Sequence, residues 1–176
     1  SSFFGAKFGK HIEELLISPL PNWVILSGYV TGALTRGLMV GVVVMAVSLF
    51  FTRIEVQYPL IMLSVLVLTA AVFALAGMVN AIFAQKFDDI AIIPTFVLAP
   101  LTYLGGVFYS ISLLPEVWQK VSVFNPILYM VNGFRLGMLG ASDVSLGATY
   151  GVILVAGVLL FTWCMILLHR GTGLRS

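Results

Sequence analysis

Four long apolar runs alternate with short polar clusters along the chain, and their lengths predict membrane-crossing helices. Between residues 23 and 52 the only charge is Arg36. A span needs about 20 apolar residues, so a first span is predicted at 30–52. Arg36 falls near its entry, where a long side chain can snorkel to the headgroups. A polar turn through Arg53, Glu55 and Pro59 leads into a second uncharged run, 60–85, with Asn80 its most polar member. Asn80 is expected to hydrogen-bond to another helix. Lys86, Asp88 and Asp89 mark a solvated loop. The third run, 90–112, is interrupted by Pro94 and Pro100, and the fourth, 146–168, is closed by His169 and Arg170. Gly28 and Gly32, then Gly37 and Gly41, put small residues on one stripe of the first span, which permits close helix approach.

Two stretches break this simple alternation. In 9–21, Ile12, Leu15 and Leu16 fall on one face at helical spacing, with Glu13 and Glu14 off it near the helix start. Pro19 and Pro21 then block further helix and bias Ser18 away from it. A helix of about two turns followed by a stiff corner is predicted. It either rests on the membrane surface or presses against a soluble partner.

The second stretch is 113–145. Pro115 opens an amphipathic pattern through Val117, Trp118, Val121 and Phe124. Asn125-Pro126 breaks it. A second helix then follows through Ile127, Leu128, Met130, Val131, Phe134, Leu136 and Met138, loosened at its end by Gly137 and Gly140. Two short helices too apolar for an open loop predict a re-entrant pair dipping into the outer leaflet, where its backbone must be covered by protein. The alternative is a loop on the membrane surface anchored by Trp118 and Tyr129. Arg135 at membrane depth needs a partner, and Glu116, a headgroup or the outer water are the candidates.

Composition changes the picture by removing the water-soluble classes. The chain is 60% hydrophobic and 9% charged with mean hydropathy +1.10, against about a quarter charged for soluble domains. This is an all-α integral membrane protein. Its net charge of +2 is too small and scattered for nucleic acid. The lone Cys164 excludes a disulfide within the chain. His11 and His169 stand singly, so no metal site is expected. No signal peptide precedes the first run, and the opening Ser-Ser-Phe-Phe without an initiator Met suggests a trimmed or partial chain. Four spans put both ends on one side. That side collects Lys7, Lys10, Arg36, Lys86, Arg170 and Arg175 against Arg53, Lys120 and Arg135 opposite, which favours both ends in the cytoplasm.

Together these stretches resemble the permease subunit of ABC-2 type exporters, in the bacterial inner-membrane branch called YadH-like. Glu13-Glu14-Leu15-Leu16-Ile17-Ser18-Pro19 is similar to the family's cytoplasmic coupling helix. The run from Pro94 through Phe96, Pro100 and Tyr103 to Phe108 is similar to its proline-interrupted fifth span. Pro115, Trp118, Asn125, Pro126, Tyr129 and Arg135 match its outer re-entrant pair. The family has six spans, of which the last four are present, with Ser1–Phe4 at the end of the second. Lys10-His11-Ile12 stands where many relatives carry an acidic-Gly-Thr run, which leaves the choice of ATPase open.

The resemblance implies a type V exporter-like transmembrane domain. Residues 1–22 would hold the end of a preceding span and the coupling helix, 23–112 three transmembrane helices, 113–145 the re-entrant helices, and 146–176 the last span and a cytoplasmic tail. The chain carries no G-x-x-x-x-G-K-[ST] phosphate loop. ATP and Mg would therefore bind a separate cytoplasmic ATPase, two copies working with a permease homodimer in the bacterial inner membrane, and this chain would hold no cofactor. Glu13, Glu14, Leu15, Leu16, Ser18 and Pro19 would couple to that ATPase. Pro94, Phe96, Pro100, Tyr103 and Phe108 are candidates for the translocation path, with a static kink and lipid-facing aromatics as the alternative. A non-transporting membrane anchor or assembly subunit remains the competing class. A secondary transporter fits poorly, because no acidic residue lies inside a span and no internal repeat is visible. An intramembrane enzyme fits poorly too: Asp88 and Asp89, the acidic pair outside the coupling stretch, have no His nearby.

Overall fold

A computed structural model of the protein describes Gly5 and residues 20–51, 56–107 and 115–170, with Phe87 described by its backbone alone. The predicted coupling stretch, including Glu13, Glu14, Leu15, Leu16, Ser18 and Pro19, lies outside the described residues, as does Phe108. Among the described residues every regular element is helical. These are α1 (Asn22–Phe51), α2 (Pro59–Phe83), α3 (Phe87–Ile93), a π turn (Pro94–Leu98), α4 (Ala99–Leu104), α5 (Glu116–Val123), α6 (Pro126–Leu139) and α7 (Leu146–Arg170).

Among the described residues, three helices, α1, α2 and α7, are long and apolar enough to cross a membrane. α1 begins at Asn22 rather than near residue 30, because nothing after Pro21 opposes helix. The Pro21 carbonyl already accepts the Val24 N–H at 2.9 Å. Among the described residues, the third apolar run is helical to Leu104. Gly105 and Gly106 then turn the chain, with Gly106 at φ 76°, a left-handed conformation that suits glycine.

α2 is the central element and packs against α1, α6 and α7. Its partners along α7 run in register: Ser64 hydrogen-bonds Tyr150, and the Leu75 carbonyl accepts from the Cys164 thiol at 3.6 Å. The two helices are therefore parallel. One buried cluster joins Leu26 of α1, Leu75, Met78 and Ile82 of α2, and Cys164 and Leu168 of α7. A second joins Val65 and Val72 of α2 to Met130 of α6 and Ile153 of α7. Large apolar side chains such as Val43, Phe50, Leu154 and Leu159 point outward. In lipid this costs nothing, since the surroundings are as apolar as the core, and packing and hydrogen bonds decide which faces meet.

Candidate functional site

The site is built where the proline-broken third helix meets the α5–α6 pair. Pro94 has no N–H, so the Ile90 carbonyl one turn earlier loses its helical donor. Asn80 of α2 supplies the replacement, its Nδ2 donating to that carbonyl at 3.0 Å. This is the interhelical bond expected of Asn80. The helix widens through Pro94–Leu98, where the Ala99 N–H reaches the Pro94 carbonyl. Such π turns inside α-helices occur often at functional sites.

Lys86, Asp88 and Asp89 form a helix start rather than the expected loop. Asp89 sits in the first turn of α3, and its Oδ2 accepts from the Gln85 and Lys86 N–H groups at 2.9 and 2.8 Å. These two bonds hold its carboxyl below the usual aspartate value.

α5 and α6 meet at Asn125. Its Oδ1 accepts from the Ile127 N–H at 3.0 Å, making it the N-cap of α6, and Pro126 takes the first helical position, where a missing N–H is harmless. Its Nδ2 donates to the Leu101 carbonyl at 2.6 Å. That carbonyl lies in the last turn of α4, where the Gly105 N–H has turned instead to Thr102. Gly105 is buried here, and a Cβ on it would lie 2.8 Å from the Ile127 side chain. Tyr129 donates its hydroxyl to the Val123 carbonyl at 2.9 Å, closing the end of α5.

α6 is held against α2 by glycines. A Cβ at Gly137 would meet the Met62 backbone N at 2.6 Å, and one at Gly133 would meet Thr149 at 2.6 Å and Val65 at 3.2 Å. The Tyr58 N–H donates to the Gly137 carbonyl at 2.8 Å. Gly137 therefore clamps the helix rather than loosening it, and Gly140 at φ 72° ends it. On the first span, by contrast, nothing among the described residues lies within 4 Å of a Cβ built at Gly28, Gly32, Gly37 or Gly41. The close approach within this chain uses the other glycine pair.

Arg135 pairs with Asp143, not with Glu116: Nη1 lies 3.2 Å from the Asp143 carboxylate. Its Nη2 donates to the Gly106 carbonyl at 2.7 Å. Long helical side chains lean toward the helix start, which carries the guanidinium back to the turn after α4. Asn132, fully buried, accepts the Asp143 N–H at 2.9 Å and donates to the Leu128 carbonyl at 3.0 Å. Three side chains, Asn125, Asn132 and Arg135, thus tie α6 to the third helix and to the α6–α7 loop.

The ABC-2 type transporter family model matches residues 1–139. Inner membrane transport permease YadH of Escherichia coli K12 is 56% identical over all 176 residues, which cover 69% of that protein. The chain belongs to the ABC-2 type transporter family. Two copies of nodulation protein J, from Rhizobium leguminosarum biovars viciae and trifolii, are more distant at 26% and 29% identity. The alignments cover 95% of this chain and 65% and 64% of theirs. No solved structure matches the chain. An ABC-2 chain with three long apolar helices and this relationship to YadH is a multi-pass inner-membrane protein and a transport permease subunit.

In this ABC-2 permease Pro94, Phe96, Pro100 and Tyr103 are all exposed on the broken helix, with Phe96 at 73%. Pro94 and Phe96 lie in the π turn, and Pro100 and Tyr103 follow it in α4. Trp118 is half-exposed and Pro115 starts α5, its carbonyl accepting from Trp118 and Gln119. The apolar face predicted for α5 points outward: Val117, Trp118, Val121 and Phe124 are all exposed, and Ser122 is buried. Such an inverted face suits lipid or another membrane helix as its neighbour. An open apolar groove of about 510 Å³ lies between α2 and α6, walled by Leu66, Thr69, Phe73, Val131 and Phe134. Sequence reasoning passed over Asn132, Asp143 and the Gly133/Gly137 pair. The four-residue glycine spacing was visible, as was Asn132 one turn before Arg135.

Proposed function

We propose that the chain is the membrane-spanning permease subunit of an ATP-binding cassette exporter. Two copies form a translocation path driven by two separate cytoplasmic ATPase subunits that carry ATP and Mg. The match along the whole chain to a transport permease supports this most strongly. The lack of a phosphate loop in the sequence agrees with a division of labour between subunits. The proline-broken run 90–112 counts with α1, α2 and α7 as a fourth span in this reading, and both ends face the cytoplasm, as the Lys and Arg distribution favours.

Residues 10–19 act as the coupling helix. Leu15 and Leu16 sit in the ATPase groove, Glu13 and Glu14 add charge complementarity, and Ser18-Pro19 stiffens the joint to α1. α5 and α6 form the re-entrant pair in the outer leaflet. Their outward apolar side chains and the internal satisfaction of Asn125 and Asn132 suit burial in a bilayer, where unpaired polar groups are costly. Pro94, Phe96, Pro100, Tyr103 and Phe108 face the path. Closing of the ATPases moves the coupling helix and α1, and the π turn absorbs the change between inward- and outward-open states.

The test is a pull-down and ATPase assay on the full-length protein co-expressed with its neighbouring ATP-binding subunit. Leu15→Asp and Leu16→Asp should insert normally yet release the ATPase and abolish permease-dependent hydrolysis. If the aspartates leave both unchanged, residues 10–19 are not the coupling element. If no ATPase is captured by the wild type, the anchor reading replaces this one.

A further inference from the structure

At the end of α7 that meets the start of α1, a groove of about 490 Å³ opens between Asn22 on one side and Thr162, Met165, Ile166, His169 and Arg170 on the other. Its volume lies in the usual range for small-ligand sites. The walls are graded. Met165 and Ile166 belong to the apolar length of α7, whereas His169 and Arg170 form its last turn. Across from them is the first turn of α1, a 30-residue helix with no acidic residue at its start. Asn22, its first residue, lines the groove, so the positive end of the helix dipole lies beside that space. No acidic side chain is among the described residues that line the groove. The side chains of Arg170 and His169 make no hydrogen bond or ion pair with another described residue.

We propose that this groove is a binding site for an anionic phospholipid, whose phosphate sits against Arg170, His169 and the start of α1 while an acyl chain runs down over Met165 and Ile166. The occupant follows from the order of the chemistry along the membrane normal. The Arg170 guanidinium stands at the end of α7 beside the start of α1, where headgroups lie, and apolar side chains continue directly beneath it. A soluble anion would use the first and leave the second bare. A zwitterionic lipid would use the second, but its phosphate is offset by its own cation and leaves the Arg170 charge without net compensation. Basic pockets between transmembrane helices are the recurrent form of such sites. A lipid here would bridge α1 to α7, which otherwise meet mainly through Leu26 and its neighbours in the cluster shared with α2. The proposal goes beyond the permease reading and depends neither on the coupling helix nor on which side of the membrane this end of α7 faces.

The test is native mass spectrometry of the full-length protein in detergent, titrated separately with phosphatidylglycerol and phosphatidylcholine. Wild type should bind the first phosphatidylglycerol at least several-fold more tightly than phosphatidylcholine. Arg170→Gln should weaken phosphatidylglycerol about fivefold, the effect of one basic residue at a headgroup, and leave phosphatidylcholine unchanged. Arg170→Lys should keep most of the preference. Lys120→Gln, a cation far along the chain on α5, should have no effect. Thr162→Trp puts bulk into the groove while leaving Arg170 and His169 in place, and it should abolish the preference even if Arg170→Gln fails to insert. Equal binding of the two lipids by wild type would overturn the proposal. So would a preference that survives both Arg170→Gln and Thr162→Trp, since the anionic lipid would then bind elsewhere.

Discussion

The Asn125 amide donates to the Leu101 carbonyl at 2.6 Å, joining the corner of the α5–α6 pair to the last turn of the broken helix. One side chain therefore does two things, since its oxygen also caps α6. Asn125→Ala should destabilise the protein by about 1–3 kcal/mol, from a lost cap and a stranded carbonyl. Asn125→Asp keeps the cap but sets an acceptor against an acceptor. It should unfold at least as early as the alanine variant in a thermal melt in detergent. If the aspartate variant instead matches wild type, the bond to Leu101 contributes nothing.

The pairing of Asn80 with the carbonyl that Pro94 strands predicts a coupling between the two positions. Asn80→Ala alone leaves the Ile90 carbonyl without a donor and should cost about 1–3 kcal/mol. In a Pro94→Ala background the new N–H can reach that carbonyl, so the same change should be nearly neutral. A double-mutant cycle on unfolding midpoints measures this, and additive effects would show that the two sites are independent.

Gly133 and Gly137 set the distance between α6 and its neighbours. At Gly137 an added methyl would meet backbone, which cannot rotate away. Gly137→Ala should cost at least the 1–3 kcal/mol typical of overpacking. Gly28→Ala and Gly41→Ala, with open space around them, should leave the isolated subunit unaffected. Size-exclusion profiles and melting temperatures of the three variants would separate these expectations.

The Arg135–Asp143 pair is part-exposed, at 24% and 37%, so its ionic component should be small, up to about 1 kcal/mol. Asp143→Asn should therefore be mild. Arg135→Gln also removes the donor to the Gly106 carbonyl and should be clearly worse. The charge-swapped double variant should recover the smaller loss only. Full recovery would mean that the Gly106 contact is unimportant.

Asp89 gives a pH-dependent joint at the polar junction between α2 and α3. Its carboxyl is held low by the Gln85 and Lys86 N–H groups. A folded-state value below the unfolded one means that the stabilisation is complete above about pH 4, the unfolded aspartate range, and is lost as pH falls through the lower folded value. Hydrogen exchange at Gln85 and Lys86 should therefore be faster in Asp89→Ala than in wild type at neutral pH, with the difference closing in strong acid. A difference that persists there would point to another cause.

The sequence by itself determined the class, the long apolar helices, the Asn125-Pro126 corner and the family. These follow from local rules: run length for spans, a cap residue followed by proline for a helix start, missing N–H groups for the broken helix. It also marked Asn80 as a helix-to-helix donor, because an amide inside an apolar run must find a partner. Only the tertiary structure decided which partners are met. Gly28, Gly32, Gly37 and Gly41 have the same spacing as Gly133 and Gly137, yet among the described residues only the pair on α6 is covered. Arg135 finds Asp143 across the α6–α7 loop rather than Glu116 on the facing helix. The predicted face of α5 is real but turned outward. The common reason is the solvent. In water an apolar stripe identifies the buried face, whereas in lipid both faces are apolar and periodicity no longer says which one meets protein. That choice falls to backbone fit at a few glycines and to the carbonyls and carboxylates within reach of three polar side chains.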